Sequence, residues 1–306
     1  MQNSLDPTRR LRRFALLPQY RQAAQVWQEA NGQLAPVTPV DAVGVVVLRD
    51  GPRGAQTFLC AHPPRSPFGP LAFPGGTADP VDDEPLPWIG PSARDWARRW
   101  HDDVGAIRRS VVAAARELFE RTGVLVAGSD KYSTVVTGDG REWATARENV
   151  ADRSWSMRHV LEMRRLRLRT DLLWPIARWI SPEFLHRRYD TRFFAVILPE
   201  RQNITGLPGQ SKPGVWVDVD QLNQPQSWVP EVLGHSASDI DQGRLFAAAT
   251  MELVQDLSAA RSVVEIIAKP RDLSARMPVL STGPDGDFWL TVPPLAKRRR
   301  TWGDAQ

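Results

Sequence analysis

The chain has 306 residues, 42% hydrophobic and 24% charged, which allows a sizeable core beneath a solvated surface. Its longest apolar runs, Ala42–Leu48 and Phe193–Leu198, have the length of strands and fall short of the roughly 20 residues that span a bilayer. The balance of 39 Lys and Arg against 35 Asp and Glu leaves net +4, a small excess for this length, and the single cysteine, Cys60, excludes an internal disulfide or a cysteine metal cluster.

Residues 1–38 read as an appendage, with a basic cluster at Arg9–Arg13 and a helix over Gln19–Ala30 that Gly32 and Pro36 end. The cluster lacks the apolar run of a secretory signal. Together with Lys297–Arg300 it reads first as a solvated terminus, with nucleic-acid or membrane contact as the minor alternative. Ala42–Arg49 and Thr57–Ala61 are predicted strands around a turn at Asp50–Gly54. Pro63 to Pro80 is too rich in Pro and Gly for a helix. Asp79 to Asp103 is a polar, Trp-rich excursion carrying a short helix near Ser92–Trp100.

The clearest helix spans Ala106–Thr122. Ile107, Val111, Ala114, Ala115 and Leu118 recur at helical spacing, and Gly123 supplies the stop. A strand at Val124–Val126 follows, then an Arg-rich helix over Met157–Thr170, strands at Thr191–Leu198 and Val215–Val219, and a long helix near Ile240–Ile267. The interleaving predicts a mixed α/β fold. Residues 39–306 are expected to form one domain, with an insertion at about 83–105 and a C-terminal helical extension. The five histidines, His62, His101, His159, His186 and His235, show no paired zinc-ligand spacing. Cys60 lies in an apolar segment and reads as core.

Glu117 and Glu120 are three apart on the clear helix and share a face, with Arg116 four positions before Glu120. Paired carboxylates repel each other and favour a divalent cation between them, although an amphipathic helix with a solvated face also carries such pairs. Upstream, Phe73-Pro74-Gly75-Gly76 reads as a tight turn whose glycines permit positive φ and close approach of the backbone to a ligand.

Taken together, Gly76 and the run Arg116-Glu117-Leu118-Phe119-Glu120, with Gly123-Val124 beyond, resemble the Nudix box, G-x5-E-x7-R-E-U-x-E-E-x-G-U with U apolar. Six places after Gly76 stands Asp82, acidic where the box has Glu. The box is split, because 33 residues separate Asp82 from Arg116 where the pattern has seven. That split is similar to one in a branch containing peroxisomal coenzyme A diphosphatases and bacterial relatives. Two further segments resemble that branch: Ala61-x3-Arg65-x3-Gly69-x3-Phe73-Pro74-Gly75-Gly76, and Trp179–Pro182 followed by Arg188–Phe194.

The resemblance implies a Nudix-type α/β/α sandwich with a mixed sheet, plus the insertion and terminal extensions. It implies Mg²⁺ or Mn²⁺ held by Glu117, Glu120 and Asp82, and cleavage of a nucleoside-diphosphate-linked substrate, coenzyme A or a derivative among the candidates. Arg116 would position the carboxylates, Gly75 and Gly76 would shape the substrate loop, and Arg65 would contact phosphate or nucleotide. The expected partner is a small molecule; membrane binding is not expected, nucleic acid is a minor alternative, and cytoplasmic residence is the default. The pattern fails at Arg121, which stands where the box has its second paired Glu. The loop Gln210–Lys212, where relatives often carry an acidic residue, has none. A degenerate domain that binds nucleotide or coenzyme A without turnover is therefore the competing reading, followed by a basic nucleic-acid-binding α/β protein.

Overall fold

The segment Val40–Gly51 is apolar on both of its faces over Val43–Leu48, so it can rest only in the middle of a sheet covered on both sides. The computed structural model describes residues 12–62, 68–138, 140–206, 214–233 and 245–293. In chain order its elements are β1 (Arg12–Ala15), α1 (Arg21–Glu29), β2 (Val40–Gly51), β3 (Gly54–Ala61), β4 (Leu71–Ala72) and β5 (Gly75–Thr77). There follow β6 (Trp88–Ile89), α2 (Ala93–Trp100), α3 (Val104–Thr122), β7 (Ala127–Gly128), α4 (Arg141–Ala151), α5 (Met157–Met163) and β8 (Arg167–Arg169). The remainder are β9 (Trp174–Ile180), β10 (Tyr189–Ile197), β11 (Gly214–Asp218), α6 (Val229–Leu233), α7 (Ala248–Leu257), α8 (Val263–Ala268), β12 (Ala275–Arg276), β13 (Val279–Thr282) and β14 (Phe288–Val292).

The main sheet has the order β11–β3–β2–β10–β9–β12, with β4 joined to β3 and β5 to β2. β2 runs parallel to β10, from Val40 opposite Tyr189 to Leu48 opposite Ile197, while β3 and β5 pair with β2 in the antiparallel sense. Side-chain alternation sends Val43, Val45, Val47, Phe194 and Val196 toward α2 and α3. It sends Val46, Leu48, Phe193 and Ala195 toward α7 and α8. The result is the α/β/α sandwich with a mixed sheet that the sequence implied.

Several elements depart from the sequence reading. Val124–Val126 is not a strand: the side chain of buried Gln202 takes the place of a neighbouring strand, accepting from the Leu125 N–H (2.9 Å) and donating to the Leu125 and Val135 carbonyls (2.9 and 2.8 Å). The Arg-rich helix ends at Met163, Arg165 turns into the left-handed region (φ 52°), and Arg167–Arg169 is the strand between β6 and β7. The long C-terminal helix is broken at Ser258–Ser262 into α7 and α8, and residues 240–244 of that expectation lie outside the described residues. β1, β9, β13 and β14 were not foreseen. β1 pairs with β14, so the first and last described strands share one small sheet.

The Trp-rich segment packs onto the domain. Trp96 and Trp100 on α2 are fully buried against Phe194 (ring centroids 5.9 and 5.4 Å apart), and β6 pairs with β8. A buried ionic lattice fastens the end of that segment: Arg192 donates to Asp102 (2.9 Å) and Asp41 (2.8 Å), and Arg178 donates to Asp190 (2.9 Å). Asp190 is thus held by Arg178 of the neighbouring strand. Among the described residues no helix is long and apolar enough to cross a membrane.

The Gln202 amide gives a direct check on this part of the fold. Gln202→Leu strands the Leu125 N–H without an acceptor and should cost about 1–3 kcal/mol in urea unfolding. A variant as stable as the parent would show that the amide is dispensable.

Candidate functional site

α3 starts at Asp103, whose carboxylate accepts from the N–H groups of Gly105 (2.8 Å) and Ala106 (3.0 Å), and ends at Gly123 in the left-handed region (φ 77°). Its predicted apolar stripe, Ile107, Val111, Ala114, Ala115 and Leu118, is fully buried. The opposite face is not solvated either. Arg116 and Glu117 are buried there, because β5 and the short 3-10 turn Pro80–Asp83 cover it.

Gly75 and Gly76 lie in β5, paired with Gly44 and Val43 of β2, and neither adopts a positive φ. What requires glycine is proximity. A Cβ on Gly75 would stand 2.2 Å from the Val43 carbonyl oxygen, and one on Gly76 would stand 2.4 Å from Glu117 Oε1. The two halves of the split motif therefore meet at this point.

Arg116 joins them. Its Nε and Nη2 donate to the two oxygens of Asp82 (both 2.8 Å), and Nη2 also donates to the Thr77 carbonyl (2.9 Å). Nη1 donates to Glu117 Oε1 (2.8 Å) and Glu120 Oε1 (2.9 Å). All the N–H groups of the guanidinium are thereby used. Burial alone would weaken its hold on the proton, but the Asp82 hydrogen bonds and the charges of Asp82, Glu117 and Glu120 raise its pKa far above the ordinary value. Asp82 is fixed in turn by a reciprocal cap with Asp79, whose N–H donates to Asp82 Oδ2 (2.8 Å). Burial, and next the charge of Glu117, raise the pKa of Glu120 against the opposing pull of Arg116 and Arg153.

Two more arginines close the group. Arg153, just past α4, donates to Glu120 Oε1 (2.7 Å), Asp79 Oδ2 (3.0 Å) and the Val150 carbonyl (2.8 Å). Arg121 Nε lies 3.6 Å from Glu117 Oε2, a buried oxygen that makes no hydrogen bond. Arg121 also stands in the last turn of α3, where its charge suits the helix dipole. Near it, burial and then the Arg121 charge push the His62 pKa down to about 4, so that imidazole stays neutral. Burial pushes the Cys60 thiol up to about 12, in keeping with inert packing.

The structure thus brings together Arg116, Glu117, Glu120, Asp82, Gly75 and Gly76. Arg65 and the Gln210–Lys212 loop lie outside the described residues. Arg153 was missed by sequence reasoning, and no spacing signal points to it. The other acidic residues beside the site are already paired: Asp79 with Arg153, Asp82 with Arg116, and Asp83 with Arg109 (2.7 Å).

A divalent ion does not fit this arrangement. Mg²⁺ demands near-octahedral oxygen donors. Among the described residues no three Asp, Glu, His or Cys side chains are grouped to hold a metal. Glu117 Oε2 has no hydrogen-bond partner and would suit one, but Arg121 faces it. A guanidinium about 5 Å from Mg²⁺ would repel it by several kcal/mol, ~7 at an effective dielectric of 20.

No family model matches the chain, and no curated protein matches it. Among solved structures, the chain is similar to a NUDIX hydrolase from Alicyclobacillus acidocaldarius, with 21% identity and a TM-score of 0.55 over 77% of this chain and 98% of that one. It also matches a mutator MutT protein from Bacillus halodurans (11% identity, 82% of this chain and 97% of that one, TM-score 0.34). A third match is an Ap4A hydrolase from C. elegans (13% identity, 72% and 96%, TM-score 0.32). The first of the three shows that this chain has the fold of a NUDIX hydrolase.

Proposed function

We propose that this chain, folded as a Nudix hydrolase, acts on a compound built on a nucleoside-diphosphate linkage and hydrolyses that linkage. The observation that carries the reading is the seating of Glu117 over Gly76, with Arg116 clamping Asp82, Glu117 and Glu120 into one buried cluster. Coenzyme A and its derivatives are the favoured substrates, on the strength of the segment Ala61–Gly76 that leads into the site.

In the reaction, a water oxygen attacks one phosphorus and the bridging P–O bond breaks. The leaving phosphate takes the bonding pair, and two phosphate monoesters result. Glu120, whose proton affinity is raised, accepts the proton of the attacking water. Arg116 and Arg153 hold Glu120 in place. The donor set does not fit a metal, and Glu120 serves as the base without one. A second reading, binding without turnover, is favoured by Arg121 at the position of a ligand carboxylate and by Arg153 on Glu120.

The test is turnover of coenzyme A, ADP-ribose and a UDP-sugar in Mg²⁺, in Mn²⁺ and in EDTA, with products analysed by mass spectrometry from ¹⁸O water. Hydrolysis should place one label in one of the two monophosphates. Its rate should fall as pH drops through a value above the ordinary carboxylate range, since Glu120 must be ionised to accept a proton. If the folded protein binds these compounds and cleaves none of them, the second reading replaces the first.

A further inference from the structure

The three guanidinium groups of the site differ in what they leave open. Arg116 is fully enclosed and has spent its donors on protein acceptors. Arg121 and Arg153 keep 48% and 36% of their side chains exposed. Arg121 makes no hydrogen bond among the described residues, and its Nε is only loosely placed, 3.6 Å from Glu117 Oε2. Arg153 uses Nε and Nη1, leaving the two N–H groups of Nη2 without a partner among the described residues.

Arg153 is also put in place deliberately by the backbone. It sits at φ 69°, a region that non-glycine residues seldom occupy, and from there it reaches both Glu120 and Asp79. Glu117 and Glu120 thus each present a guanidinium outward instead of an open oxygen pair.

Resting on the diphosphate reading above, we propose that Arg121 and Arg153 supply the positive charge that binds the ligand's diphosphate, so that binding needs no divalent metal. Two guanidiniums carry together the charge of one Mg²⁺. The Arg121 fork matches a pair of phosphate oxygens, and Arg153 adds the two N–H groups of Nη2. Glu117, Glu120 and Asp79 aim these groups, and Arg116 holds Glu117 and Glu120.

Calorimetry with inorganic diphosphate, on the full chain freed of metal and kept in EDTA, tests this. Wild type should bind the probe in EDTA, and Mn²⁺ alone, followed by electron paramagnetic resonance, should show no stoichiometric binding. Arg121→Gln and Arg153→Gln should each weaken diphosphate binding about tenfold or more, while the circular dichroism stays that of the folded protein. Arg121→Glu should abolish metal-free binding and create a Mn²⁺ site. Diphosphate binding that requires Mn²⁺, or that survives unaltered in both Gln variants, overturns the proposal while leaving the diphosphate reading intact. Absence of binding with and without metal removes the diphosphate reading itself, and this proposal with it.

Discussion

Replacing Arg116 with methionine should lower the stability of the fold by about 3–5 kcal/mol, the usual cost of removing one partner from a buried ion pair. The reason is specific to this position. Asp82 and Glu117 are almost entirely buried, Glu120 is close to it, and all three point oxygens at one guanidinium. Methionine fills a similar volume but leaves three carboxylates facing one another in a medium that solvates them poorly. Arg116→Lys should recover only part of the loss, because an ammonium cannot reproduce the paired contacts to Asp82 together with those to Glu117, Glu120 and Thr77. The deficit should narrow in acid, where protonation removes the stranded charges. Urea unfolding at neutral and acid pH measures both effects. A methionine variant as stable as wild type would show that the ionic hub does not join the two halves of the motif.

The two glycines of β5 should separate fold from site. In Gly75→Ala the new methyl meets the Val43 carbonyl and the Gly44 Cα, 2.2 and 2.9 Å away, and neither can move without opening the β5–β2 ladder. That should cost about 3 kcal/mol, near the top of the usual range for overpacking. In Gly76→Ala the methyl meets the Glu117 carboxylate at 2.4–2.6 Å, the end of a side chain that can rotate aside. Stability should fall by only about 1 kcal/mol. Displacing Glu117 also releases its contacts with Arg116 and Arg121, so ligand affinity should fall tenfold or more. Thermal unfolding combined with calorimetry distinguishes the two variants. Equal stability loss with equal ligand affinity would mean that Gly76 has no special relation to the site.

The meeting of the Gly75–Gly76 segment with the helix that carries Arg116 and Glu117 was legible in the sequence, because each half of the split motif keeps its own spacing on either side of the insertion. Arg153 was not. It reaches Glu120 and Asp79 from a left-handed residue beyond a different helix, and no local periodicity encodes a contact of that kind. The reading of α3 was right for its apolar stripe and incomplete for its other face, since burial of a charged face depends on what the distant strand β5 brings to it.

Other departures have similar causes. Leu161 and Leu168 are seven apart and mimic a continuing helix, yet Leu168 belongs to a strand whose partners, β6 and β7, come from remote segments. β9 contains Pro175 and Arg178 and shows no clean alternation, but pairing with β10 makes it a strand all the same. Gln202 illustrates the general difficulty, because a single amide stands in for an entire neighbouring strand beside Leu125.

Hydrogen–deuterium exchange with coenzyme A tests most directly whether the Gly75–Gly76 strand and the end of α3 form the ligand site. Saturating ligand in EDTA should slow exchange across residues 75–84 and 116–123 and around Arg153, and Gly76→Ala should abolish that protection. Protection confined to another surface, such as the apolar cleft lined by Leu17, Trp179 and Leu290, would contradict the assignment.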